Sequence, residues 1–317
     1  MALRHVLAFA CVTVAAFASF SAHAEYPDRP ITLVVGFPAG GGTDVQSRLL
    51  APVLKKYLNT PVVIENRPGA SGLIGATFLA NGKPDGYTIG ALNFPSSYAP
   101  IYQGNARYSA DSFTPLANQI GGNLALTVHK SSPIKSVSEF VELAKKQPLV
   151  VGLTGVGHPS QMTALLFQNA SGIKLNFVPF DGGGPARIAM LGNHLTYGFM
   201  NESEIFRDHR SGELRVLATS GKNRSALLPD VPTLKELGYD VEFSLLAGFG
   251  APAGLPAEIE QKLVDAFDRA LNDPEYIKSA KEREFIVEPM SQTQFEEALK
   301  RGNADLKKLW ETNPWSK

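Results

Sequence analysis

Cysteine is nearly absent: Cys11 is the only one in 317 residues, and it sits in an N-terminal apolar run. Without that run the chain has no disulfide, no thiolate nucleophile and no thiolate metal ligand. An excess of charge of one sign is missing too. Lys plus Arg is 30 and Asp plus Glu is 30, so nothing electrostatic points to nucleic acid or an anionic membrane as partner. After residue 24 no apolar run reaches membrane-spanning length. There is no low-complexity tract and no solenoid period. Catalytic signatures are lacking as well. No G-x-S-x-G elbow occurs. The four histidines beyond residue 24 (His129, His158, His194 and His209) have no metal spacing. Gly40-Gly41-Gly42 supply a G-x-G, but Val45 stands where a dinucleotide fingerprint needs its last glycine. A P-loop would need Gly-Lys-Ser/Thr, and here Thr43-Asp44 follow the glycines. With no nucleophile–base pair and no metal set, no catalytic residue, metal or cofactor is expected.

What is present suits a globular chain. Hydrophobic residues make up 44% and charged residues 19%, enough to bury a core without disulfides. The first 24 residues read as an export signal. Arg4 precedes an apolar run from Val6 to Phe20, and Ala22-His23-Ala24 is an A-x-A cleavage site. Cleavage after Ala24 is expected.

Beyond the signal, short β-branched runs alternate with amphipathic ones. Strands are expected at 31–37, 61–66 and 87–92, with helices at 43–58 and 71–80 between them. Thr43 and Gln46 have capping-box spacing for the first helix. The middle repeats this grammar: strands at 124–129, 149–153, 176–180 and 214–220, helices at 137–146 and 160–170, and a helix opened by Pro185 at its first position. Two helices close the chain. One starts at Pro256 with Ile259, Leu263, Phe267 and Leu271 on its apolar face, and Asn272-Asp273-Pro274 stops it. The other runs from about Ser291 to Trp310. The βαβ pattern predicts an α/β fold with mostly parallel sheets.

Several strand-to-helix joints are rich in glycine: "GFPAGGGTD" (36–44), "LTGVGHPSQ" (153–161) and "FDGGGPA" (180–186). In an open parallel sheet such loops lie at the carboxyl ends of the strands, where ligands bind. Helix N-termini there offer unpaired N–H groups to an anion, and glycine removes the Cβ barrier to approach.

Four stretches carry a family resemblance: "YPDRPITLVVGFPAGGGTDVQSRLLA", "VVIENRPGASGLIGATFLANGKPDGYTI", "VPFDGGGPARIAMLGNH" and "LPDVPTLKELGYDVEF". In this order they resemble the receptors of the tripartite tricarboxylate transporter family, the Bug-type solute receptors. The resemblance spans nearly all of the chain after the signal. It implies a periplasmic, two-lobed, Venus-flytrap (type II-like) binding protein, monomeric, that hands a small carboxylate to a membrane complex of one large and one small subunit. Two strand–loop–helix pincers would hold the ligand carboxylate. Carried over, the first pincer is Phe37 to Asp44, with Phe37, Gly41, Gly42, Thr43 and Asp44 at the ligand. The second is Thr154 to Ser160, with Thr154, Gly155, His158 and Ser160. Ser97, Asp181 and Asn201 would line the rest. Lobe one would be 25–124 plus 217–317, and lobe two 125–216.

This chain departs from the family pattern at His158, Gln161 and Asp181, where the family favours a hydroxyl, a histidine and a basic residue. Ligand selection at the lobe-two pole is therefore expected to differ. Some assignments stay open on the residues alone. Asp44 serves equally as a partner of the helix dipole, His158 as an exposed loop residue, and Asp181 as a solvated turn residue. Arg48 and Arg187 read as surface or packing residues. Phe37, Phe94 and Phe180 are candidate walls for an aromatic acid, though Phe94 and Phe180 also suit a core. The alternative function is an exported enzyme acting on a small organic acid on the same architecture; a sensor that presents its ligand to a kinase is a third.

Overall fold

The computed structural model describes residues 25–315 except 156, 181, 284 and 286. The expected signal and its cleavage site lie outside the described residues. Among the described residues nine strands join into one continuous hydrogen-bonded sheet.

In the first half, β1 (Ile31–Val35), α1 (Gly42–Leu58), β2 (Val62–Asn66), α2 (Leu73–Ala80) and β3 (Thr88–Phe94) form the expected βαβαβ unit. A one-turn helix, α3 (Ala99–Tyr102), follows it. β1 pairs in parallel with both β2 and β3. The second half repeats the unit with β5 (Leu149–Leu153), α5 (Pro159–Ser171), β6 (Leu175–Pro179), α6 (Gly183–Leu191) and β7 (Tyr197–Asn201), again parallel about its first strand. Helix α4 (Val137–Lys146) precedes this unit. Helix α7 (Glu202–Arg210) and β8 (Leu214–Thr219) follow it.

One strand runs through both halves. β4 (Phe113–His129) is 17 residues long. Its first part pairs antiparallel with β9 (Ser244–Pro252), and its second part with β7 on one side and β8 on the other. Only its last six residues, 124–129, are legible as a strand in sequence. Pro115 and the Gly121-Gly122 pair hide the rest, and the register slips between Pro115 and Ala117 and again between Asn118 and Ile120. β9 was not expected either. Its Gly248 is required because a Cβ there would lie 2.5 Å from the Ala117 carbonyl oxygen and 2.6 Å from the Phe295 ring.

Ser220 ties β4 to the segment that leads into β9. Ser220 N–H donates to the Leu124 carbonyl at 2.8 Å, and Phe243 N–H donates to the Ser220 carbonyl at 2.9 Å. Ser220 Oγ accepts the Leu124 N–H at 3.0 Å and donates to the Phe243 carbonyl.

The core falls into several clusters. Ile31, Leu33, Leu50, Leu54, Phe249, Phe267 and neighbours fill the space between the first sheet and α1, α8 (Ala257–Leu271) and α9 (Pro274–Glu282). Leu126, Phe140, Val151, Phe167 and Phe199 fill the second half. Helix α9 corrects the sequence reading. Asn272-Asp273-Pro274 does end α8, but Asp273 also caps a new helix by accepting Glu275 N–H at 2.8 Å, with Pro274 at its first position. The last helix, α10 (Gln292–Thr312), reaches across both halves. Leu299, Leu306 and Trp315 of the C-terminal segment share one cluster with Met162 and Leu165 of α5, and Asn313 Nδ2 donates to Asn169 Oδ1 at 3.1 Å. Among the described residues no helix is long and apolar enough to cross a membrane.

Candidate functional site

The carboxyl ends of the parallel strands in both halves face one cleft of about 1040 Å³. On its first side lies the Gly-rich loop. Gly40 has φ +81°, a left-handed value that glycine accepts at no cost. Gly40 N–H donates to Asp44 Oδ2 at 2.8 Å and Gly41 N–H to the Pro38 carbonyl at 3.1 Å. The expected Thr43–Gln46 capping box is absent. α1 starts at Gly42, its N-cap is Gly41, and no side chain caps it. The first N–H groups of α1 therefore have no partner within the helix. A Cβ on Gly42 would meet nothing within 4 Å, so this glycine leaves open space in front of the backbone. Thr43 turns its hydroxyl sideways and accepts from Asn93 Nδ2 at 3.1 Å.

Asp44 is buried, at 2% exposure, and does not line the cleft. Besides Gly40, it accepts from Arg48 Nε at 2.9 Å and from Asn66 Nδ2 at 2.8 Å. Arg48 and these neighbours hold its carboxyl at about 2, against the opposing effect of burial. Its work is to fasten the loop. Ser97 is likewise an internal brace. Its N–H donates to the Asn93 carbonyl at 2.8 Å and its Oγ accepts Asn93 N–H at 3.3 Å, while Ser96 lines the cleft in its place.

On the second side, Thr154, Gly155 and His158 line the cleft, and Ser160 is fully buried behind them. Ser160 Oγ accepts Thr154 N–H at 3.0 Å. Gln161 accepts Gly157 N–H at 2.7 Å through its side-chain oxygen. His158 is the N-cap of α5: its Nδ1 accepts from Ser160 N–H at 3.4 Å and lies 2.6 Å from Thr154 Oγ1. An accepting Nδ1 puts the ring proton of the neutral form on Nε2. Burial lowers the His158 pKa to about 4, so the ring is neutral at ordinary pH.

Phe37, Gly41, Gly42, Thr43, Thr154, Gly155, His158 and Asn201 thus come together around one cleft; Asp44, Ser97 and Ser160 stand behind it; Asp181 lies outside the described residues. Phe94 and Phe180 also face the cleft, although Phe94 is only 3% exposed and packs on Tyr98 and Phe243. Pro185 corrects a smaller expectation: it is the third residue of α6, which begins at Gly183.

The cleft also holds residues that motif reading missed, chiefly Asn93, Gln46, Gln103, Glu202 and Glu204. One signal for Asn93 was in plain view. "TIGALN" (88–93) and "TYGFMN" (196–201) share a T-x-G-x-(L/M)-N pattern, and the ladders pair Val34 with Gly90 and Gly152 with Gly198. Glu202 is buried and its carboxylate accepts from Asn123 N–H at 3.3 Å, at the point where β4 passes between the halves. Glu204 is exposed to the cleft, with its carboxyl packed against Gly183 so closely that a Cβ there would lie 2.0 Å from it. Desolvation within the protein pushes both carboxyls up from the ordinary range, and at Glu204 the Asn201 side chain and the charge of Arg187 oppose the rise. No lysine or arginine is among the described lining residues.

Two halves that repeat one strand order, joined by two crossings and facing a shared cleft, define a two-lobed periplasmic-binding-protein fold, the architecture of a solute-binding protein. Residues 46–309 match the model of the tripartite tricarboxylate transporter family receptor (TctC), and the chain belongs to that family. It is 34% identical to a Cupriavidus necator protein described as the UPF0065 protein in the gbd 5′ region, over 98% of each chain. Among solved structures it is similar to a TctC solute-binding protein from Polaromonas, at 30% identity and a TM-score of 0.84 over 90% of this chain and 99% of that one. It is also similar to MatC from Rhodopseudomonas palustris, solved with bound malate, at 27% identity and a TM-score of 0.72 over 90% of this chain and 99% of that one.

Proposed function

We propose that the chain is a periplasmic, monomeric receptor that captures a small carboxylate in the interlobe cleft and delivers it to the large and small membrane subunits of a tripartite tricarboxylate-type transporter. One observation carries the reading. The cleft is lined from both halves by loops at strand carboxyl ends, and on the first side the open backbone at Gly42 sits beside unpaired N–H groups of the α1 N-terminus. That is an anion site built from backbone rather than from fixed charge. The malate held by MatC supports carboxylate as the class. The receptor holds its acid unchanged, since family membership points to capture.

The ligand would meet Gly42 and Thr43 on one side and Thr154, Gly155 and His158 on the other, with Asn201 between. Gly41 contributes shape, because its N–H is already given to Pro38. The lobes themselves divide near Asn123 and Phe243. Leu228 and Val231 pack with Met200, and Leu234 and Val241 pack with Phe199, which favours a second crossing later than residue 216.

Calorimetric titration with small mono-, di- and tricarboxylates tests this, with the acid recovered and weighed afterwards. The expected result is saturable binding of one class, recovery of the acid intact, a rise in Tm and a fall in radius of gyration as the lobes close. Conversion of the acid would establish the enzyme alternative instead.

A further inference from the structure

The charge inside the cleft is opposite to what a di- or tricarboxylate would need. Its only charged lining residues among those described are Glu202 and Glu204, and no lysine or arginine faces it. Glu202 is occupied at the crossing by Asn123, whose N–H and side-chain amide both donate to it. Glu204 is the acid that faces the cleft.

Arg187 lies near enough to act on Glu204 through its charge, but the two form no ion pair. The nearby guanidinium of Arg187 is held by Asp208 in two short contacts, Nε to Oδ2 at 2.6 Å and Nη2 to Oδ1 at 2.7 Å. Asn201 also borders this end of the cleft, and its buried Oδ1 has no hydrogen-bond partner among the described residues. A carbonyl oxygen and a carboxylate both accept; neither donates. The third Gly-rich loop is closed to an incoming carboxylate for the same reason. Its helix α6 begins at Gly183, and the Glu204 carboxyl already rests on that residue. The sequence reading took this loop as a further anion-binding joint; the fold has filled it with the protein's own acid.

The two sides are therefore unlike. The α1 side offers N–H donors and open space. The Glu204 side offers acceptors and negative charge. Between them the cleft has apolar walls, including Phe37, Phe180 and Leu246.

We propose that the ligand is a zwitterion, with one carboxylate at the α1 pole and a protonated amine that donates to Glu204 and Asn201, and that a second carboxylate is rejected at this end. This rests on the carboxylate-receptor reading and narrows it. Glu204 acts as a specificity residue by supplying the counter-charge, and Asn201 adds a neutral acceptor next to it. Like charges brought together in a low-dielectric cleft repel, so the same glutamate that attracts the amine disfavours a dicarboxylate.

The test is calorimetry at pH 7 with sets matched in chain length. Each set holds the monocarboxylate, the dicarboxylate, the amino acid with its amine at the far end, and the α-amino acid, from three to six carbons and with a phenyl-bearing series. In at least one set an amino acid should bind about tenfold or more tighter than both partners, about one charge-assisted contact. Glu204→Gln should erase that ratio and improve dicarboxylate binding, while Glu204→Asp should keep part of it. Melting curves of both variants verify folding, and monocarboxylate binding common to wild type and Glu204→Gln verifies the α1 pole. If dicarboxylates bind wild type tighter than every amino acid, or if Glu204→Gln leaves the ratio unchanged, the zwitterion proposal is wrong and the carboxylate reading stands. If no acid of any kind binds, both fall together.

Discussion

Asn93 and Asn201 occupy the same place in the two halves. Each sits three residues after the glycine by which the third strand of its half pairs with the first, Gly90 opposite Val34 and Gly198 opposite Gly152. Both line the cleft, and both have a buried side-chain oxygen without a partner among the described residues. Asn93 in addition gives its amide N–H to Thr43. A buried carbonyl oxygen left unpaired costs free energy that a ligand or a bridging water can return.

Asn93→Ala and Asn201→Ala should each weaken ligand binding by roughly tenfold. Unliganded stability should move by less than about 1 kcal/mol, because an unpaired acceptor leaves with the side chain. Titration and thermal melting of the same preparations measure both. A large drop in Tm with unchanged affinity would make these asparagines structural.

The glycines of the first loop should separate into two kinds. Gly40 has φ +81°, so Gly40→Ala should cost about 1–2 kcal/mol of stability. Gly42 has an ordinary φ and open space where a Cβ would go, so Gly42→Ala should fold at least as well as wild type. Its methyl group would stand in the way of a ligand approaching the backbone. Binding should fall by about tenfold or more in Gly42→Ala, as much as one lost charge-assisted hydrogen bond. Normal binding by Gly42→Ala would show that the ligand does not come to this backbone.

Asp44 should matter without touching ligand. Asp44→Ala leaves Gly40 N–H and the Asn66 amide without their acceptor and should cost about 1–3 kcal/mol. Asp44→Asn keeps an acceptor for Gly40 N–H but turns an amide donor toward Arg48 and Asn66, so it too should destabilise, by less than Asp44→Ala. The carboxyl titrates at about 2 in the fold, below its ordinary value near 3.8. Its contribution is thus complete above the ordinary value and disappears as pH falls through about 2. Acid unfolding curves of wild type and Asp44→Asn should diverge above that window and converge below it.

His158 should make stability depend on pH in the opposite part of the acid range. Its pKa falls from 6.5 to about 4 on folding through burial. Between these values the unfolded chain holds the proton and the folded chain does not, so stability falls as pH drops from about 6.5 to about 4. His158→Asn preserves an acceptor for Ser160 N–H and removes the titration. Its Tm should be flatter than that of wild type across this window. Equal slopes for the two proteins would assign the effect to another group.

The sequence alone determined the α/β alternation, most helix positions and the Gly-rich joints, because those depend on local periodicity and on residues with unusual backbone freedom. It also carried the family resemblance, which the match over residues 46–309 bears out. Tertiary structure decided the rest. β4 and β9 are strands despite Pro115, Gly248 and Gly250, since what holds them is pairing between segments more than a hundred residues apart. α9 forms because Asp273 serves as a cap, besides accepting from Lys56 and Tyr57 of α1. The division of labour within the site was equally hidden. Asp44 and Ser160 carry the right chemistry for ligand contact, yet each is turned inward to hold a loop. Glu204 belongs to no motif, and only folding brings it against Gly183 at the mouth of another loop. A motif records which residues can do the chemistry; which of them face the cleft depends on side-chain direction, and packing sets that.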